Sequence, residues 1–378
     1  MARRLDLTDV PVVDGHVHPL VRDPWRITPE AFVDLFSEGR PGTMAAHVPH
    51  TAYMRRACRE LAGRLGSGDD VRAILDARRR AGEAGARRLL IDSGVTVLLA
   101  DTGYPPEAMP LDEMRRVVPC AVHEVFRVET CAERLVARAL AYEGFVDAFR
   151  AALHEAAATC VAFKSIVAYR SGLGVRAHDD AAVKHAYDAV VAGVQQGGSR
   201  RLVAKPLLDA LFFETLEVAR QTGRPLQVHT GFGDPDIDLI GSNPLLLRPV
   251  VEDPRWSGVR LVLLHMAYPY VREAAFMTAV WPQVFLDLSL AMPFLGPGAM
   301  GPLVEVLSLA PASKLMYGSD VSALPELYAL SAQWGRAALG EALGWLVERD
   351  GLSERQARDD AQHILRGNAA SLYGVDAD

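Results

Sequence analysis

Val12-Val13-Asp14-Gly15-His16-Val17-His18-Pro19, near the start of this 378-residue chain, is the stretch on which the reading of the fold turns. Side chains two apart on a strand project to the same side, so an apolar run ending in His-x-His delivers two imidazoles to one place where the strand exits. Two convergent imidazoles suit a transition-metal ion. Two unrelated surface histidines would give the same letters, so the stretch has to be judged by what recurs downstream.

What recurs is a set of short, continuously apolar runs separated by helical patterns. Val95 to Ala100 is closed by Asp101-Thr102-Gly103, and Val117 to Val122 leads into a run ending near Arg127 and Glu129. Val161 to Val167, Pro225 to His229, Val259 to His265, Val284 to Ser289 and Leu315 to Asp320 follow, and with the first run they make eight. Helical spacing fills the intervals, from about Ala132 to Ala158, Asp180 to Gln195 and Pro206 to Thr222. Strands that are apolar throughout belong to a parallel sheet covered on both faces, and eight of them favour closure. The expected class is therefore α/β, a distorted (β/α)8 barrel occupying residues 1–378 as one domain.

One interval breaks the pattern. From about Thr28 to Arg88 the chain is dense in Ala, Arg and Leu, with helical patches at Ala52 to Leu65 and Val71 to Ala81 and breaks at Pro41-Gly42 and Gly66-Ser67-Gly68. This is far longer than an ordinary βα loop and reads as a helical insertion after strand one, placed to cap the strand ends. Pro325 to Ala370 reads as helices packed outside the barrel.

Composition narrows the function. Half of the residues are hydrophobic and the formal net charge is -7, which gives no basic field for nucleic acid. The N-terminal residues form no apolar leader, and no stretch is read as reaching the about 18 continuous apolar residues of a membrane span. A cytoplasmic protein is expected, with a small-molecule substrate and further copies of itself as partners. The four cysteines, Cys58, Cys120, Cys131 and Cys160, lack C-x-x-C spacing, so they are read as reduced and buried.

In a parallel barrel all strands end at one rim, where the βα loops converge and chemistry collects. His16, His18, His229, His265 and Asp320 each fall at the last position or two of their runs, and Lys164 lies late in the fourth. A single histidine after an apolar run is usually a core or capping group; five metal-capable residues in equivalent places make a site. His123, His154, His178, His185 and His363 fall mid-run or in helices and are read as structural or exposed. His47 and His50, in the insertion, are read as solvent groups.

This pattern resembles the amidohydrolase superfamily, with His-x-His on strand one, Lys on strand four, His on strands five and six, and Asp on strand eight. The phrases Phe163-Lys164-Ser165-Ile166-Val167-Ala168-Tyr169-Arg170-Ser171-Gly172-Leu173, Gln227-Val228-His229-Thr230-Gly231-Phe232-Gly233-Asp234 and His265-Met266-Ala267-Tyr268-Pro269-Tyr270 look like the amidohydrolase-type domain fused to glutamine-synthetase-like domains in fungal and plant proteins. The resemblance implies one or two divalent metal ions, usually Zn2+ with Mn2+ or Fe2+ as alternatives, and hydrolysis at an amide, ester or related centre. One branch decarboxylates instead.

It also implies roles. His16 and His18 would hold the ion, His229 would add a third ligand, and His265 would be a second-metal ligand or an imidazole polarising the substrate carbonyl. Asp320 would be an anionic ligand or the base that moves a proton from water to the leaving nitrogen; taken alone, Ser319-Asp320 would also pass as a helix cap. An ammonium at Lys164 about 5 Å from a dication would be repelled by several kcal/mol even at an effective dielectric of about 20. Three choices remain open for it: a carboxylated lysine bridging two metals, a neutral amine ligand, or an anchor for a substrate carboxylate. Glu129, on the face it is read as sharing with Arg127 at the end of strand three, is the competing bridge, ranked below Lys164.

On the substrate side, Tyr169 and Arg170 follow the lysine strand, and an arginine there can hold a carboxylate bidentately. Asp234, Asp236 and Asp238 alternate after His229 without the pattern of an EF-hand; one acidic group there can meet an amine, and an ordinary loop accounts for the others. An arginine opposite an aspartate matches an amino-acid head group. The expected reaction is therefore metal-dependent cleavage of a C–N bond in a γ-glutamyl or other amino-acyl amide. A metal-dependent decarboxylase and a non-catalytic binding barrel are the alternatives, the second disfavoured by the intact ligand pattern.

Overall fold

A computed structural model describes residues 4–105 and 107–377. Met1 to Arg3, Pro106 and Asp378 lie outside them, and with them the first three residues of the stretch read above as carrying no leader. The eight strands are β1 (Val12–Val17), β2 (Val95–Asp101), β3 (Ala121–Arg127), β4 (Ala162–Ser165), β5 (Leu226–Val228), β6 (Leu261–Leu263), β7 (Val284–Asp287) and β8 (Leu315–Met316). They form one eight-stranded sheet in the order β1 to β8. Backbone bonds run from β1 to the β8 segment, Gly15 N–H to Tyr317 O at 3.0 Å and Asp320 N–H to His16 O at 2.8 Å. First and last strands are thus joined, as the (β/α)8 barrel requires.

By internal packing the chain divides into two compact units. Met1–His123, Gly233–Pro235 and Asp287–Asp378 form the first, and Glu124–Phe232 with Asp236–Leu286 the second.

In the first unit β1 is buried along its whole length and pairs in parallel with β2, Val12 opposite Val95 and Asp14 opposite Leu98. The insertion folds as helices α1 (Pro29–Asp34), α2 (Ala52–Leu65) and α3 (Val71–Ser93). Each starts on a side-chain cap: Thr28, Thr51 and Asp70 accept the backbone N–H of Ala31, Met54 and Ala73. Gly66 and Gly94 end α2 and α3 in the left-handed conformation, where a residue without Cβ is favoured. The helix read from Val71 ended at Ala81; α3 continues past it, but with a kink at Gly82, φ 55°. Arg78 of α3 is fully buried, and its guanidinium donates to both carboxylate oxygens of Glu326, at 2.8 and 2.9 Å. That pair fastens the insertion to the long helix Pro325–Arg349. Arg336 of the same helix donates to Val10 O and Ser93 O at the starts of β1 and β2.

In the second unit β3, β4, β5, β6 and β7 pair in sequence and in parallel, with Arg127 opposite Lys164 and Lys164 opposite Gln227. The helices Asp180–Gln195 and Lys205–Thr222 lie where the 3.6-residue spacing put them. The single helix expected from Ala132 to Ala158 is instead two, Val128–Val136 and Tyr142–Ala157, with Ala139 between them at φ 48°.

One segment, Ala291–Leu309, reaches a spanning helix's length and apolarity with a mean hydropathy of 1.2. It is not one rod. It is broken into Ala291–Leu295, Gly296–Ala299 and Met300–Leu309, with Gly296 at φ 55° and Pro297 at the break.

Candidate metal centre

The end of β1 presents His16 and His18 as its alternation demands, and the turn after β8 brings Asp320 to them. Oδ1 of Asp320 lies 3.1 Å from His16 Nε2 and 3.3 Å from His18 Nε2. Two features hold the aspartate there. Its own N–H donates to His16 O, and the preceding Ser319 N–H donates to Asp14 Oδ1 at 2.8 Å. Asp320 has φ 59°, a left-handed conformation that a non-glycine residue keeps only where its surroundings impose it.

The protons identify what belongs between these groups. His18 Nδ1 lies 3.3 Å from the carbonyl oxygen of Asp101, and only an N–H can make that bond. With its proton on Nδ1, neutral His18 turns a lone pair at Nε2 toward a carboxylate oxygen. Acceptor facing acceptor is repulsive unless a cation stands near. Donors on one tetrahedral zinc, at about 2.0–2.2 Å each, lie about 3.3–3.6 Å apart, and each histidine stands near that distance from Asp320. The carboxylate–imidazole set therefore fits a divalent metal ion.

Negative charge accumulates around the same place. Glu38, between α1 and α2, is raised to about 8 by burial and by the charges of Asp320 and Asp234. Asp14, fully buried below His16 on β1, is raised to about 8 by burial, with Asp287 adding to it. Tyr53 on α2 is raised by burial and also feels Glu38 and Asp320.

The second unit holds the other expected residues, and there donors meet acceptors. His229 Nε2 lies 3.2 Å from Phe232 O and must donate to it. Neutral His229 then accepts at Nδ1, where His265 Nε2 stands at 2.9 Å as the donor. His229 thus has both ring nitrogens engaged with protein, while Tyr169 covers its face at 4.3 Å between ring centroids. His265, Met266 and Ala267 form a left-handed run of non-glycine residues, φ 66°, 55° and 48°. Lys164 is buried on β4.

Glu129 is not at the end of a strand. β3 stops at Arg127, whose extended backbone starts the helix Val128–Val136, so Glu129 sits in the first helical turn and shares no strand face with Arg127. Its Oε1 accepts from Ser165 Oγ at 2.6 Å and Ile166 N–H at 3.0 Å, tying the helix to the end of β4. Burial raises it. Arg170 lies 3.3 Å from Glu133. Asp236 pairs with Arg201, and Asp238 accepts the N–H of Ile240, as ordinary loop groups do. His178, read as structural, bonds Asp209 at 2.8 Å.

Sequence reasoning missed Asp101 and Glu38. Asp101 closes an apolar run as Asp320 does, a signal read as a turn. Glu38 stands in the insertion, where no strand register applies.

The chain matches a family model described as amidohydrolase over residues 13–375. It is 29% identical over 396 residues to protein fluG of Emericella nidulans, an alignment covering 96% of this chain and 45% of that protein. The chain thus spans under half the length of that curated relative. A crystal structure of a protein assigned as a metal-dependent hydrolase, from Lactobacillus casei ATCC 334, superposes with a TM-score of 0.88 at 28% identity, covering 99% of this chain and 98% of that one. Uronate isomerase from Thermotoga maritima shares the fold, with a TM-score of 0.70 at 16% identity over 97% and 95% of the two chains.

Proposed function

This chain belongs to the amidohydrolase family, and on that premise we propose that it is a metal-dependent hydrolase that cleaves a C–N bond in a γ-glutamyl or other amino-acyl amide. The observation that carries the reading is the single carboxylate oxygen of Asp320 held 3.1 and 3.3 Å from two imidazole nitrogens. His16, His18 and Asp320 would hold the ion, Zn2+ in the first instance. By the family's strand pattern Lys164 and His265 would extend the donor set, while His229, read as a third ligand from the sequence, has both ring nitrogens engaged with protein and is assigned to orienting His265. A dication held there supplies a water of pKa near 7 and draws electron density from a carbonyl.

The chain's own groups then do the positioning and the proton transfers. Asp320 takes the proton of the attacking water and passes it to the leaving nitrogen, a service worth about 10²–10⁴ in rate. His265, kept in register by its bond to His229, polarises the substrate carbonyl in this proposal. Asp234, whose charge Glu38 feels, is assigned to a substrate ammonium. Tyr169, Arg127 and Arg170 are assigned to the rest of the head group, and Glu129, tied to Ser165 and Ile166, to holding the end of β4 in place; Arg170 would exchange Glu133 for a substrate carboxylate.

The test is turnover of γ-glutamyl amides, amino-acyl amides, simple acyl amides and a uronate by protein stripped of metal and then reloaded with Zn2+. Cleavage of the first two classes only after reloading is expected. Turnover confined to simple acyl amides removes the amino-acyl substrate. Isomerisation of the uronate with no amide cleaved moves the protein to the other reaction named among its fold neighbours.

A further inference from the structure

The end of β2 carries a group that neither the superfamily pattern nor the assignments above use. Asp101, the last residue of β2, is fully buried. One of its carboxylate oxygens, one nitrogen of His16 and one of His18 all lie within 4.8 Å of one another. Its main-chain carbonyl is the group that receives His18 Nδ1 at 3.3 Å. Asp101 therefore meets His18 by its backbone, which fixes the tautomer and the ring, while one of its carboxylate oxygens lies within 4.8 Å of a ring nitrogen of each histidine.

We propose that Asp101 is a further carboxylate of the metal pole, so that the ion is held by two imidazoles and two carboxylates, from β1, β2 and the turn after β8. This rests on the metal-dependent reading and deepens it.

Charge and donor geometry support the assignment. Two neutral imidazoles with two carboxylates carry a net charge of minus two, which balances a dication within the first unit. A ligating histidine characteristically gives its other N–H to a carbonyl or carboxylate, and His18 does so to the same residue that offers the second carboxylate. The competing account is a turn anchor, because Asp101 Oδ1 also accepts the N–H of Gly103 at 3.0 Å. Asparagine keeps that acceptor and removes the charge, so Asp101→Asn separates the two roles.

The experiment titrates metal-free wild type, Asp101→Asn and His16→Asn with Zn2+ against a chromophoric chelator. Melting temperatures of the metal-free proteins and the visible spectra of their Co2+ forms accompany it. Expected is a loss of at least about tenfold in Zn2+ affinity for Asp101→Asn, at the scale of altered metal surroundings, with its metal-free melting temperature unchanged and its Co2+ bands altered. Affinity or Co2+ bands equal to wild type would overturn the inference, and so would a fall in metal-free melting temperature that parallels the loss of affinity. If His16→Asn abolishes binding while Asp101→Asn matches wild type, only the role of Asp101 falls. If wild type itself binds no Zn2+, the metal-dependent reading falls with it.

Discussion

The histidines of the two units are arranged on opposite principles. In the first unit His16 and His18 turn nitrogens toward a carboxylate oxygen, and the proton that would relieve the contact at His18 is committed to Asp101 O. In the second unit His265 donates to His229 and His229 donates to Phe232 O, so both of these contacts have a donor and an acceptor. An imidazole acceptor turned on a carboxylate, as at His18, is a place for a cation; a relay with its protons assigned is a device for orientation. Both sets sit on left-handed non-glycine backbone, at Asp320 and at His265, so strain alone does not tell them apart.

The contrast is broken most forcefully by removing the pole. His16→Asn should lower Zn2+ affinity by at least about 10³ and abolish amide cleavage, whereas His229→Gln should lower affinity by about tenfold or less and act on turnover instead. Equal losses of metal in both variants would place His229 among the ligands and end the distinction. Asp320→Ala is expected to cost about 10²–10⁴ in kcat/KM, measured on whichever amide the panel identifies.

A smaller effect probes the satisfied side. Ser165→Ala takes one of the two donors from buried Glu129 Oε1 and should destabilise the protein by about 1–3 kcal/mol in urea unfolding, leaving Zn2+ affinity unchanged. A matching change in metal affinity would contradict a purely structural role for that carboxylate.

A pH dependence probes the buried carboxyls around the metal pole. Asp14 and Glu38 are both raised to about 8, so between about pH 4 and pH 8 the metal-free folded protein holds protons that the unfolded chain has released. Their contribution is fully present below the unfolded carboxyl range and is lost as pH rises toward 8. The melting temperature of the metal-free protein should therefore decline over that window. Glu38→Gln, which cannot titrate, should flatten the decline by a few degrees. A wild-type profile that rises with pH would contradict the burial assigned to these groups.

How much of this could be read from the letters follows from where each residue sits. His16, His18 and Asp320 were legible because strand alternation and a common rim fix where such residues emerge. The insertion's two longer helices were legible through helical spacing and the glycine breaks between them, although Val71 to Ala81 stopped at the kink at Gly82 and missed the continuation to Ser93. Glu129 was misplaced by one structural step: nothing in Arg127-Val128-Glu129 marks where an extended chain turns helical, and tertiary packing decides it. Asp101 was passed over because Asp-Thr-Gly is also a turn signal, and it does serve as one by accepting from Gly103. Glu38 was out of reach, since its approach to Asp320 depends on how the insertion folds back, and no periodicity encodes that. The proton assignments at His18 and His229 need atomic positions and have no sequence signature.

Anomalous diffraction at the zinc edge from crystals of the Zn2+-loaded protein tests the account most directly. A peak about 2.0–2.2 Å from His16 Nε2, His18 Nε2 and an oxygen of Asp320 is predicted, with His18 Nδ1 still facing the carbonyl of Asp101. A loaded protein with no peak among those three atoms, or with zinc bound elsewhere while they remain in mutual contact, would contradict it.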